Sequence, residues 1–189
     1  MASTTEIRCE RMRFTVSDVR RLEHAGLVEG HVELIDGGLV VNPPHDPTHS
    51  TVKGVLRRRL EDAYRPAGAT VRDQDPLAIG PDDEPEPDLL VVRGDDWAFT
   101  KRHPRGQDAW LVVEVAVSSL RRDRRKAALY ARAGAPVYWI VDVRSKRLEV
   151  RSDLDPKRRR YRSHAILSGD QLVDLPGVRT RLRVSSLFP

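Results

Sequence analysis

One cysteine cannot close a disulfide on its own, and Cys9 is the sole cysteine in 189 residues. The chain must therefore hold its shape without covalent staples, which agrees with a reducing compartment. It also lacks any apolar run near the roughly 18 residues of a membrane span, and its N-terminus lacks the apolar core of a signal peptide. We see no internal repeat, linker or low-complexity tract. Together these absences exclude a disulfide scaffold and a helical membrane protein, and they lead us to expect a soluble, cytoplasmic chain. The simplest organisation is a flexible N-terminus over residues 1–13 and a single domain over 14–189. A domain of that length can bury roughly 70% of its unfolded surface.

Charge, by contrast, is abundant. Thirty-three Lys and Arg against 28 Asp and Glu give a net charge of +5 and a pI near 9.7. The excess is clustered at Arg57-Arg58-Arg59, Arg121-Arg122, Arg124-Arg125-Lys126 and Lys157-Arg158-Arg159-Arg160. Such clusters gain free energy by displacing counterions from phosphates, so a polyanionic partner is one reading and an ordinary solvated face is the other.

The order of elements follows from periodicity. Val16, Val19, Leu22 and Ala25 predict a helix between Phe14 and Leu27, with Thr15 or Ser17 as its cap. HVELIDGGLVV predicts a hairpin turning at Asp36-Gly37-Gly38. Alternation alone puts Glu33, in its first arm, on the solvent side of an edge strand. After the irregular stretch NPPHDPTHS, a helix opens at Thr48 or Ser50 with Val52, Val55, Leu56 and Leu60 on one face. A strand is predicted over Val71 to Ile79, and residues 94–108 form a loop or short irregular helix long enough to serve as a flap beside a site. VYWIVDV, RLEVRS and YRSHAIL give three further strands. Helices flanking strands in this order predict a mixed central sheet in an α/β or α+β layer fold.

Two acids stand where water is scarce. Asp88 opens the apolar run Leu89-Leu90-Val91-Val92, and Glu114 lies inside AWLVVEVAV. A buried carboxylate costs several kcal/mol unless it is paired, protonated or bound to a cation. Continuous apolar runs of this length are those of strands buried on both faces, so these two strands form the sheet's centre. Period two gives Val112, Glu114 and Ala116 one face of the second strand. The helix that follows, capped by Ser118 or Ser119 and ended by Gly134, carries Lys126 and Tyr130 four apart, hence on one face. Converging carboxylates make a hard oxygen site suited to Mg²⁺ or Mn²⁺, and a neighbouring lysine can hold a water or balance transition-state charge. A blander alternative has Asp88 capping a turn, Glu114 paired with an arginine such as Arg124, and Lys126 in solvent.

Pro87-Asp88 followed at a distance by Glu114 in an apolar strand resembles the PD-(D/E)XK nuclease superfamily, in which the lysine stands two residues after the second acid. Here that position is Ala116. The wider set ELIDGGLV, the proline loop with His49, PDLLVV, LVVEV, DRRKAALYARAG and APVYWIVDV resembles the restriction-endonuclease family of the Uma type, from about Phe14 to Phe188. In that family the lysine comes from the helix after the acidic strand, at the position of Lys126. The resemblance implies a restriction-endonuclease-like core acting on DNA, with Asp88 and Glu114 as metal ligands joined by the Val115 carbonyl. It implies Lys126 as the catalytic lysine and Glu33 as a further ligand or water-orienting group. His49 and Tyr130 fall at recurring positions with supporting roles, and cutting both strands makes a homodimer reasonable. The sequence departs from the family at Ala116-Val117-Ser118-Ser119, where a Ser-Pro-Ser type turn is usual, and at Val137, which replaces an acid. Those departures keep open a nuclease-like module that binds nucleic acid or protein without cutting, beside a hydrolase of smaller phosphate esters.

Overall fold

The computed structural model describes residues 12–28, 30–42 and 46–189. Cys9, nearly all of the expected flexible start and Pro43, Pro44 and His45 of the proline loop lie outside the described residues. The first helix, α1 (Val16–His24), begins at a capping box: Thr15 accepts from the Asp18 N–H while Asp18 accepts from the Thr15 N–H. Next, β1 (Val32–Ile35) and β2 (Gly38–Val41) pair antiparallel around Asp36 and Gly37, both at positive φ, the backbone that a two-residue hairpin turn requires.

Helix α2 (Pro47–Tyr64) starts before the expected Thr48 or Ser50. Asp46 accepts from the His49 N–H, and Pro47 lacks only an N–H that the first turn leaves unbonded. Its apolar stripe of Val52, Leu56, Leu60 and Tyr64 is buried. Strand β3 (Ala69–Asp73) is shorter than the predicted Val71 to Ile79. Gln74 turns to φ +51, and the chain beyond leaves the sheet, Leu77 donating to the Pro85 carbonyl and Ala78 to that of Pro104. Apolar content there serves loop packing instead of a strand.

The central sheet has six strands in the order β3, β4 (Leu89–Arg93), β5 (Ala109–Ala116), β6 (Tyr138–Asp142), β7 (Arg147–Asp155) and β8 (Arg160–Ser168). Among the described residues only β5 and β6 of this sheet pair in parallel, and the connection between them is α3 (Leu120–Ala133). The sheet is thus mixed, as expected. Leu111, Val113 and Val115 pack on α2 and on the tail hairpin of β9 (Leu172–Asp174) and β10 (Arg181–Arg183). Val112 and Ala116 pack on the opposite side with Tyr130 of α3. Both faces are therefore dry, which is what the unbroken apolar runs of β4 and β5 require.

Helix α3 is fastened to the sheet by charge as well as packing. The Arg124 Nε donates to Glu149 Oε1 on β7 at 2.9 Å, and Arg151 and His164 face the same carboxylate. Burial alone would raise the Glu149 pKa, but the Arg124 hydrogen bonds and charge outweigh it and hold the group below its usual 4.5. A lowered carboxylate pKa stabilises the fold above the unfolded value and loses that contribution as pH falls through the folded one. Glu149→Gln is expected to cost about 1–2 kcal/mol at pH 7, limited by the exposure of Arg124. Urea denaturation should show its deficit against the parent closing below about pH 4.5, where the parent's carboxylate also becomes neutral.

Candidate active site

The antiparallel register sets Leu89 opposite Val113, so one step back along β4 brings Asp88 beside Glu114 across the strand pair. Cross-strand neighbours share a face. Asp88 Oδ2 accepts from the Val115 N–H at 2.7 Å and lies within hydrogen-bond distance of His49 Nε2, at 3.1 Å. From α3, Lys126 Nζ donates to Glu114 Oε1 at 2.9 Å and to Glu33 Oε1 at 2.7 Å. One turn on, the Tyr130 hydroxyl donates to that same Glu114 oxygen at 2.6 Å. Glu33 also accepts from the Glu86 N–H, while its Oε2 is buried without a hydrogen-bond partner among the described residues.

All of these groups are buried: Glu33 is 0% exposed, Glu114 4%, Lys126 5%, and Asp88 and His49 6% each. The solvent-side expectation for Glu33 is overturned, because that face of β1 lies against α3 and the segment before Asp88 instead of water. The bland alternative fails in the same way. Arg124 pairs with Glu149, not Glu114, and Lys126 is out of solvent.

Asp88, Glu114, Val115, His49 and Lys126 line one cavity of about 100 Å³. Glu33 does not line it and reaches it through Lys126. The larger hollows elsewhere, of about 390 and 670 Å³, contain none of the buried carboxylates. Residues 94–108 do not line the cavity either, so the expected flap is not one. Their end is packed elsewhere: Gly106 lies against the Ala133 backbone so tightly that a side-chain carbon there would collide with it.

Burial pushes the Glu114 carboxyl up to about 8, with Asp88, Asp123 and Glu33 adding repulsion and Lys126 opposing. Desolvation would lower the Lys126 pKa, but Glu114 and Glu33 outweigh it and hold the ammonium charged. Tyr130 is raised well above its usual value by burial and the adjacent Glu114, so it remains a hydrogen-bond donor.

Sequence reasoning missed Asp123, 2% exposed, whose carboxylate accepts from the Ser119 hydroxyl at 2.5 Å and faces the cavity. Burial raises its pKa against the pull of Ser119 and Lys126. Its position three before Lys126, on the same helical face, was the available signal. Gln74 and Arg122 also line the cavity. Nothing in the local sequence marks Gln74, whose place depends on the backbone turn after β3.

The donors suit a hard cation. Mg²⁺ keeps several waters and takes one or two carboxylates, which Asp88 and Glu114 supply at the cavity wall. As arranged, with Lys126 spanning Glu33 and Glu114, no group of three or more His, Cys, Asp or Glu among the described residues stands ready as a metal cluster.

A mixed sheet flanked by helices, with cross-strand acids and a helix-borne lysine at one end, is an α+β architecture that solved nuclease-like structures share. Comparison agrees: the fold matches the crystal structure of "a putative nuclease belonging to DUF820" from Anabaena variabilis, with a TM-score of 0.75 and 15% identity over 92% of this chain and 97% of that one. Residues 17–185 match the Uma2 family, described as "Putative restriction endonuclease", and the chain belongs to that family. No curated protein matches it by sequence.

Removing the ammonium exposes how much the centre depends on it. Lys126→Met leaves two buried carboxyls facing each other and is expected to cost about 3–5 kcal/mol at pH 9. Without the lysine those carboxyls bind protons more tightly than in the unfolded chain, so the deficit shrinks as pH falls towards 6. Chemical denaturation at the two pH values checks the sign.

Proposed function

We propose that this chain is a divalent-metal-dependent endonuclease that hydrolyses DNA phosphodiester bonds. The observation that carries the reading is Lys126 Nζ, which reaches Glu114 from α3 while Ala116 occupies the position usual for the lysine. Asp88 and Glu114 are the proposed ligands of Mg²⁺ or Mn²⁺, with the Val115 carbonyl beside them. When bound, such an ion polarises a phosphate oxygen and lowers the pKa of its water.

The chain's own groups do the remaining work. His49 and the Val115 N–H fix the orientation of Asp88, and Tyr130 fixes that of Glu114. Lys126, kept cationic by Glu33, holds the attacking water or offsets the charge growing on the phosphoryl oxygens. Glu33 acts through that ammonium. Cleaving both strands calls for two such sites, so a homodimer is part of the proposal. Among the described residues no helix is long and apolar enough to cross a membrane.

A second reading, binding without cleavage, draws support from one feature: Lys126 already pairs with both Glu114 and Glu33. Plasmid nicking separates the two. Cleavage should require Mg²⁺ or Mn²⁺ and fall at least about 100-fold in Asp88→Ala, Glu114→Ala and Lys126→Ala. Calorimetry should show Mn²⁺ binding weakened in the first two. DNA retention with neither nicking nor divalent-ion binding would leave the binding module as the correct description.

A further inference from the structure

The cavity presents a problem for a phosphodiester. Asp88, Glu114 and Asp123 all face it, and a nucleic-acid strand brought there meets repulsion that cations at the rim must offset. Four basic clusters exist in the sequence, and the fold assigns them very different positions. The Lys157–Arg160 turn joins β7 to β8. The Ala116 end of β5, beside the cavity, aligns with Asp142 of β6, and Asp142 with Arg147 of β7. The turn lies past Asp155, at the other end of β7 and roughly 25 Å away at ~3.3 Å per residue. It is the densest basic run, yet it is remote from the acids.

Helix α3 is different. At about 100° per residue, Arg122, Arg125 and Arg121 stand roughly 40°, 100° and 140° around the axis from Lys126, all in one sense. They fan from the cavity wall, which Arg122 lines, out to the surface, where Arg121 and Arg125 are exposed. Among the described residues Arg122 has one carboxylate within 4 Å, that of its neighbour Asp123 at 3.8 Å, and Arg121 and Arg125 have none. The helix's other arginines are neutralised: Arg124 by Glu149, and Arg132, on this same side, by Asp36 and Asp83 at 3.0 Å each. On this side of the helix the arginines without a carboxylate within 4 Å, among the described residues, are Arg121 and Arg125, within one turn of Arg122 at the cavity wall.

We infer that Arg121, Arg122 and Arg125 form the track that holds the DNA sugar-phosphate backbone as it enters the acidic cavity, and that the Lys157–Arg160 turn is not that track. The inference rests on the proposed nuclease reading, which it deepens by naming where the substrate lies. Side chains four apart on a helix are neighbours, so Arg121 and Arg125 can engage successive phosphates of one strand. Contacts of this kind carry no base specificity.

Duplex DNA binding by the full chain, measured in EDTA across a salt series, tests this independently of cleavage. The variants are Arg121→Ala with Arg125→Ala, the same pair changed to Lys, and Lys157→Ala with Arg158→Ala and Arg159→Ala, each checked for a parent-like melting curve. Each lost phosphate contact lowers the slope of log affinity against log salt by about 0.9, so the helix alanine pair should lose about 1.8 and bind at least ~10-fold more weakly at 0.1 M salt. The lysine pair should keep the parent slope, and so should the turn variant. A parent slope in the helix alanine pair, or a larger loss in the turn variant, overturns the track while leaving the nuclease reading intact. If the parent chain itself retains no DNA at low salt, both fall together.

Discussion

An ammonium shared by two buried carboxylates holds this centre together. Lys126 meets Glu33 and Glu114 at hydrogen-bond distance where almost no water reaches them. Desolvating any one of the three alone would cost several kcal/mol. The nearby ammonium offsets part of that lost hydration, and the remainder shows in the Glu114 carboxyl, held up at about 8. The need for that ammonium fixes the relative positions of the N-terminal hairpin, the central strand and the crossover helix.

The architecture meets it with rigid parts. The parallel pairing of β5 with β6 demands a crossover, and the crossover helix is what carries Lys126 back over Glu114. That helix is then pinned laterally at Arg124 by Glu149 and at Arg132 by Asp36 and Asp83. Tyr138 of β6 donates to the Asp123 carbonyl and packs its tilted ring against Tyr130 with centroids 4.8 Å apart, which steadies the phenol that holds Glu114. A lysine on a helix so held needs no place on the strand itself, and Ala116 can pack into the core.

Much of this was legible in the sequence, for identifiable reasons. The strand centres were visible because burial on both faces demands unbroken apolar runs, and Asp88 and Glu114 stood out as exceptions inside them. The cap at Thr15, the Asp36-Gly37 turn and the Gly134 stop each follow from local chemistry that needs no tertiary information. Glu33 shows where local reading ends: period two assigns a side to a residue but cannot say which side another element will cover. Ile79 fails for a related reason, since apolar residues that pack in a loop look the same as those in a strand. Asp123 was hidden among arginines whose number suggested a solvated helix, and Gln74 owes its position to one backbone turn.

Glu33 and Lys126 stand 93 residues apart in the chain. During synthesis the hairpin leaves the ribosome long before α3 exists, so a growing polypeptide has its carboxylates without the cation that lets them be buried. The buried centre therefore cannot close until most of the chain has been made, and a shorter nascent chain keeps these carboxylates in water.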